Sequence, residues 1–255
     1  MSWTTIVTTA PRIVSSLPLC VISLIDAGLD PIIFAEPNST SIPECRTIHN
    51  PKTLGAWHNW RSAIEWALDN TDSELILSMQ DDCTIHPESK SFIELNCLWP
   101  SSNAGLISLY CPSIYNYTSG RVLKSPGMYH MQVSLLFGAC ALLFPRKVLE
   151  RCRESHIWNN WYGVKPLQNH VQVFQERKDN PQIIKHVDAA ITQMLLQQGR
   201  EFWYLIPSLS QHISAHSTLG HAPNVGKRCA SRVVPNDVSL ESFFPEFPTY
   251  YNLSF

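Results

Sequence analysis

The stretch Leu75-Ile76-Leu77-Ser78-Met79-Gln80-Asp81-Asp82-Cys83 begins with uncharged, mostly apolar residues and ends in two adjacent carboxylates. A short apolar run bounded by polar residues reads as a buried strand. In an open α/β sheet, parallel strands deliver the residues at their carboxyl ends to the ligand crevice. Asp81 and Asp82 would then lie on the floor of a pocket. Burying two like charges side by side is costly unless a cation compensates them, and one divalent metal ion would do so. The same pair also reads as a helix cap or an exposed turn, so the flanking chain has to decide.

The bulk properties bound the answer. A chain of 255 residues, 44% hydrophobic and 16% charged, can bury a large core as one domain or as a domain with an appended lobe. The net charge of −2 gives no whole-protein basic field for nucleic acid or an anionic membrane, although a local basic groove stays open. Eight cysteines are scattered without a Cys-x-x-Cys pair, which disfavours a zinc site. Cys20 and Cys140 sit inside apolar runs and read as small core residues. The amino terminus shows neither the basic nor the apolar region of a signal peptide. Pro, Asp and Gly interrupt the apolar run from Leu17 to Phe34 before it reaches the length of a membrane span. A cytoplasmic location is the expectation.

Punctuation along the chain predicts alternating strands and helices. Trp3 to Thr9 is rich in β-branched residues and reads as a strand. A helix follows from about Leu17 to Ala27, with Pro18 in its first turn and Gly28 as its stop. Pro31 to Ala35 is a second strand, and residues 39–54 read as a loop. Trp57, Trp60, Ile64 and Ala67 share one face of a helix over Trp57–Leu68, which feeds the strand ending at Asp81-Asp82. Further strands are expected at Gly105–Tyr110, Phe137–Phe144 and Phe202–Ile206, with a loop through Tyr129 between the first two. Helices are expected from Pro145 to Cys152 and from Asp188 to Gly199. This order predicts an α/β fold with a mixed, mostly parallel central sheet flanked by helices. Residues 1–221 form the catalytic domain in this reading, with an aromatic acceptor-side insertion at about 154–185 and a tail over 222–255.

Four motifs then fall in one order: Gln80-Asp81-Asp82 at a strand end, Phe137-Gly138-Ala139, His186-Val187-Asp188, and Pro207-Ser208-Leu209-Ser210-Gln211-His212 followed by Ser217-Thr218-Leu219-Gly220. This set resembles the GT-A glycosyltransferases, which have one Rossmann-like nucleotide-sugar-binding domain around a metal. It is similar to small glycosyltransferase-like proteins of phages and bacteria, over about residues 3–221. Gln80 stands where the usual acidic triplet has its first acid. The resemblance therefore places the metal role on Asp82, with Asp81 supporting it or holding the ribose, and with His212 completing the shell. A carboxylate, an imidazole and two diphosphate oxygens would suit Mn²⁺ or Mg²⁺. Asp188 corresponds to the catalytic base of inverting members, which would take the acceptor proton; Asp is equally a favoured helix N-cap. Gly138 would lie beside the donor sugar.

Nucleotide contacts are expected from the first two strand ends. Thr8, Thr9 and Arg12 follow strand one, where backbone and a guanidinium can meet the nucleotide. Glu36 follows strand two, either accepting the imide N–H of a uracil or serving as a solvated turn residue. Asn59 is placed in the donor site by analogy alone. His216 and Ser217 could cradle the diphosphate or form part of a polar loop.

The implied activity is transfer of a sugar from a nucleotide-sugar donor, a UDP-sugar being favoured, to an acceptor hydroxyl. The phage-like resemblance points to a hydroxymethylated pyrimidine in DNA, or a sugar on one, with Arg121, Lys124, Arg146, Lys147, Arg151 and Arg153 as a local basic patch. A cell-surface glycan is the competing acceptor, read by Tyr115, Tyr117, Trp158 and Trp161. A nucleotidyltransferase would want a glycine-rich phosphate loop after strand one, and Thr8 to Ser16 contains no glycine. A noncatalytic nucleotide-sugar-binding protein stays open.

Overall fold

A computed structural model of the chain describes residues 1–96, 99, 102–112, 125–131, 136, 138–161, 187–213, 233–244 and 250–251. Strand β1 (Trp3–Thr9) lies at the centre of the parallel part of the sheet. It pairs in parallel with β2 (Pro31–Ala35) on one side and β4 (Leu75–Gln80) on the other, and β3 (Thr47–His49) adds to the outer edge of β2. Beyond β4 the direction reverses: β8 (Ala141–Pro145) runs antiparallel to both β4 and β6 (Ala104–Ser108). Strand β9 (Glu201–Ile206) is parallel to β6, β7 (Gly127–Met131) is antiparallel to β9, and β11 (Tyr250–Tyr251) is parallel to β7. The result is a mixed, mostly parallel nine-stranded sheet. A separate two-stranded ribbon joins β5 (Cys83–Ile85) to β10 (Ser210–His212).

Helices cover both faces, which explains why the central strands are apolar almost without alternation. Ile6, Phe34 and Ile76 face a core shared with α2 (Gly55–Asn70), α4 (Arg146–Arg153), α5 (His156–Asn160) and α6 (Val187–Gln197). Their chain neighbours Val7, Ile33, Ala35 and Leu77 face the opposite core, with α1 (Leu17–Asp26), α3 (Ser89–Leu95) and α7 (Leu240–Phe243). In the first core Trp57, Trp60 and Trp158 pack with ring centroids 5.5–6.0 Å apart. The Trp60 Nε1–H donates to Ser78 Oγ at 2.9 Å, tying helix α2 to strand β4.

Several local expectations change. The loop expected at 39–54 contains β3, and the loop expected through Tyr129 contains β7. β3 forms by adding three residues to the edge of β2, and β7 through pairing with the distant β9; local composition reveals neither. The strand expected at Phe137–Phe144 starts only at Ala141, because Gly138 has φ +84° and departs from extended backbone. Of the aromatic insertion expected at 154–185, Ser155 caps the short helix α5 by accepting from Trp158 N–H at 3.2 Å, and residues 162–186 lie outside the described ones. The region 222–255 contributes α7 and β11, with the Phe244 ring tilted against Phe92 at 5.1 Å between centroids. Among the described residues no helix is long and apolar enough to cross a membrane.

Candidate active site

The chain leaves β1, crosses by α1 to β2, and later returns to the other side of β1 as β4. Neighbouring strands whose connections leave in opposite directions open a crevice at their carboxyl ends, the usual ligand position of open α/β sheets. Here the crevice lies between the ends of β1 and β4. Thr8 is in register with Gln80, and the Thr8 carbonyl accepts from Asp81 N–H at 3.1 Å. Thr9 and Asp81 therefore leave the sheet side by side, and Thr9 Oγ1 donates to Asp81 Oδ2 at 2.7 Å.

Arg12 closes over the carboxylate pair. Its Nη2 donates to Asp81 Oδ1 at 2.6 Å and to Asp82 Oδ2 at 2.9 Å, while Nε reaches both Asp81 oxygens at 3.1 and 3.0 Å. His212 arrives through the ribbon: it is in register with Cys83, and the Asp82 carbonyl accepts from Ile213 N–H at 2.8 Å. Its Nε2 lies 3.2 Å from Asp82 Oδ2. Asp81, Asp82 and His212 are all buried. Burial alone would raise the Asp82 carboxyl, but the hydrogen bond and charge of His212 and the Arg12 guanidinium outweigh it and hold it below the usual range. The guanidinium, which burial would lower, is in turn raised by Asp81 and Asp82. Behind this group Cys20 and Cys83 are fully buried, and burial pushes both thiols up, so they stay protonated.

The divalent cation implied by the resemblance can be tested against this donor set. Asp82 and His212 aim a carboxylate oxygen and an imidazole nitrogen at one region, and a guanidinium already stands there as a cation. Among the described residues no three His, Cys, Asp or Glu side chains form a ready-made cage. If such a cation bound here, Asp82 and His212 would be its two protein donors, and a hard divalent ion would need oxygens from a ligand or water for its other positions.

A second group lies at the start of β8. The Gly138 N–H donates to Asp188 Oδ2 at 3.1 Å, and Asp188 Oδ1 accepts from Ala189 N–H at 2.9 Å. One turn on, Thr192 Oγ1 accepts from Leu136 N–H at 2.8 Å, so two side chains of α6 hold the backbone of Leu136 and Gly138. Two residues after Gly138, the Cys140 carbonyl accepts from Gln80 N–H at 3.0 Å. This path links Asp188 to the residue preceding Asp81.

Other expected residues take different positions. Glu36 is buried, not a solvated turn residue, and its carboxylate accepts from the N–H groups of Leu54 and Gly55 at 2.8–3.1 Å, at the positive end of α2. Asn59 is buried beneath the crevice; its Nδ2 donates to the Phe34 and Thr9 carbonyls at 3.2 and 3.4 Å, and its Oδ1 accepts from Asn50. It staples the ends of β1 and β2. His216 and Ser217 lie outside the described residues, as do Arg121 and Lys124. Arg146, Lys147, Arg151 and Arg153 belong to α4, which starts where Pro145 pairs with Leu75. That is the opposite end of β4 from Asp81, about 20 Å away at strand spacing. The sequence reading missed the role of Arg12 as counter-ion to both carboxylates. It also missed the β5–β10 ribbon; the only signal for that was apolar-polar-apolar alternation over Cys83-Thr84-Ile85.

No family model and no curated protein matches this chain. Solved structures similar to it at low identity include the following two. The mannosyltransferase PcManGT from Pyrobaculum calidifontis, in complex with GDP-Man and Mn²⁺, is 15% identical with a TM-score of 0.38 over 59% of this chain, and the match spans 46% of that chain, less than half its length. A197 from STIV is 10% identical with a TM-score of 0.44, over 83% of this chain and 84% of that one.

Proposed function

We propose that this chain is a glycosyltransferase that moves a sugar from a nucleotide-sugar donor, a UDP-sugar being the favoured one, to an acceptor hydroxyl. One observation carries the reading: Arg12, Asp81, Asp82 and His212 converge, buried, where β1 and β4 part. Such a group suits a ligand carrying a diphosphate. Thr8, Thr9 and Arg12 line the nucleotide side, with Asp81 beside the ribose. Asp82 and His212 would hold Mn²⁺ or Mg²⁺, which when bound would offset the charge that develops on the leaving diphosphate.

Asp188 is the proposed base. A carboxylate offers roughly four acceptor positions, so two backbone N–H bonds leave capacity for an acceptor hydroxyl. The same bonds fix the direction of the carboxylate, which is what proton removal at a set atom requires. Direct removal by Asp188 would accompany inversion at the anomeric carbon. Gly138 keeps this segment free of a side chain next to the sugar.

The test is donor binding and hydrolysis across a panel of UDP- and GDP-sugars, with and without Mn²⁺. Saturable binding of a nucleotide sugar, weakened by Asp82→Asn, supports the reading. Absence of binding to every donor would overturn it. Acceptor classes are separated by offering hydroxymethyl-base DNA, unmodified DNA and free glycans to the same enzyme with labelled donor.

A further inference from the structure

We infer that Arg12 is a positioning residue that exchanges partners: it holds the Asp81–Asp82 pair while the donor site is empty and passes to the donor diphosphate when a divalent cation takes its place. The inference rests on the donor-site reading above and adds to it the order in which the charges are compensated.

The argument begins with charge. Asp81 and Asp82 are 2% and 6% exposed, too buried for water to neutralise two adjacent carboxylates. Arg12 does so with a side chain that is itself only 9% exposed. Its Nη2 is shared between the two residues, and its contact to Asp82 uses Oδ2, the same oxygen that faces His212 Nε2. A divalent cation bound between Asp82 and His212 would claim that oxygen. Two cations on one carboxylate oxygen repel strongly at this low solvent exposure, so the guanidinium has to leave Asp82 as the metal ion arrives.

The backbone allows that move. Arg12 belongs to the segment between β1 and α1, outside regular structure, and its neighbours Pro11, Ile13 and Val14 are exposed, Ile13 and Val14 almost wholly. The side chain of Arg12 anchors this segment, and little else of it is buried. A diphosphate entering there offers paired oxygens that the planar guanidinium can take bidentately. Metal and nucleotide would therefore bind as a coupled pair, each helping to displace the same internal cation.

The experiment titrates the full chain with MnCl₂ alone, followed by calorimetry and by electron spin resonance of free Mn²⁺, then repeats the titration with saturating UDP or GDP. The wild type should bind Mn²⁺ weakly alone and about tenfold or more tightly with nucleotide, a typical coupling between two sites. In Arg12→Ala, Mn²⁺ alone should bind about tenfold more tightly than in the wild type, and the gain from nucleotide should shrink. Thermal unfolding checks that this variant is folded, and added Mn²⁺ should raise its midpoint more than that of the wild type. Arg12→Lys, whose compact ammonium lacks the planar fork that meets Asp81 through both Nε and Nη2, should fall between the two and serves if Arg12→Ala does not fold. Mn²⁺ affinity that is unchanged or lower in both variants overturns the inference, as does absence of Mn²⁺ binding to wild type and variants alike. Tightening of Mn²⁺ in Arg12→Ala with no nucleotide bound by any form overturns the donor reading and the diphosphate half of the exchange, while the competition between Arg12 and metal stands.

Discussion

Gly138 and Asp188, fifty residues apart, are joined by a hydrogen bond from the Gly138 N–H to Asp188 Oδ2 at 3.1 Å, with the glycine at φ +84°. The bond makes Asp188 part of the architecture whether or not it performs chemistry. Asparagine and alanine separate the two roles. Asp188→Asn keeps an oxygen for the Gly138 N–H but gives up the bond from Ala189 N–H, so its unfolding midpoint should fall less than that of Asp188→Ala and donor binding should persist, while transfer falls by at least about a hundredfold, the typical contribution of a general base. Asp188→Ala loses the acceptor as well and should cost about 1–3 kcal/mol of stability. Transfer by Asp188→Asn at the wild-type rate removes Asp188 from the chemistry.

At Gly138 itself, a side chain would have to adopt left-handed backbone, and a Cβ would meet Cys140 Sγ at 3.3 Å and Tyr110 Cε1 at 3.4 Å. Gly138→Ala should therefore destabilise the protein by about 1–2 kcal/mol from the backbone alone. Chemical denaturation at constant m value would measure it. An unchanged midpoint would mean that the segment relaxes away from Asp188.

How much was legible follows from where each feature gets its cause. The strands Trp3–Thr9 and Pro31–Ala35 are buried on both faces, so their composition alone marks them, to the residue, while the third is marked the same way but stops at Gln80, short of the Asp81-Asp82 end expected for it. Strands β3, β5, β10 and β11 have only two or three residues each, and all but β3 exist through distant pairing; no local pattern that short is distinctive. The same limit applies to the site. Two carboxylates at a strand end are visible in the sequence, but the arginine that neutralises them is 69 and 70 residues away. Glu36 shows the converse: beside Pro37 it reads as a turn residue or a base reader, yet both its oxygens face the start of a helix eighteen residues on.

That placement of Glu36 is itself testable. Removing its charge from the N-terminus of α2 should cost about 1 kcal/mol in Glu36→Gln and up to about 2 kcal/mol in Glu36→Ala, as for other helix caps. Preference among UDP, GDP and other nucleotides should not change in Glu36→Gln. A switch in nucleotide preference at unchanged stability would instead assign Glu36 to the base.

The Arg146 guanidinium donates to the Leu68 and Thr71 carbonyls at 2.6 and 2.5 Å, at the carboxyl end of α2. Arg146→Ala should thus lower stability by about 1–3 kcal/mol and leave any DNA affinity untouched. Its helix stands at the far end of β4 from the crevice, which argues against this basic set guiding DNA to the site. Loss of DNA binding at normal stability would restore the patch.

Acid should weaken the site through Asp82. Its carboxyl is held below the usual range when folded, so the folded state binds its proton less readily than the unfolded chain, whose Asp titrates near about 3.9. The stabilisation is fully present above that value and is lost as pH falls through the lower folded one. His212 is the first favourable partner of Asp82, ahead of Arg12. His212→Ala should therefore bring the folded carboxyl back toward its unfolded value and flatten the fall in unfolding midpoint in the window below about pH 4. Midpoints of wild type and variant, measured at steps across that window, decide the matter. Parallel curves would show that His212 contributes nothing to holding Asp82 ionised.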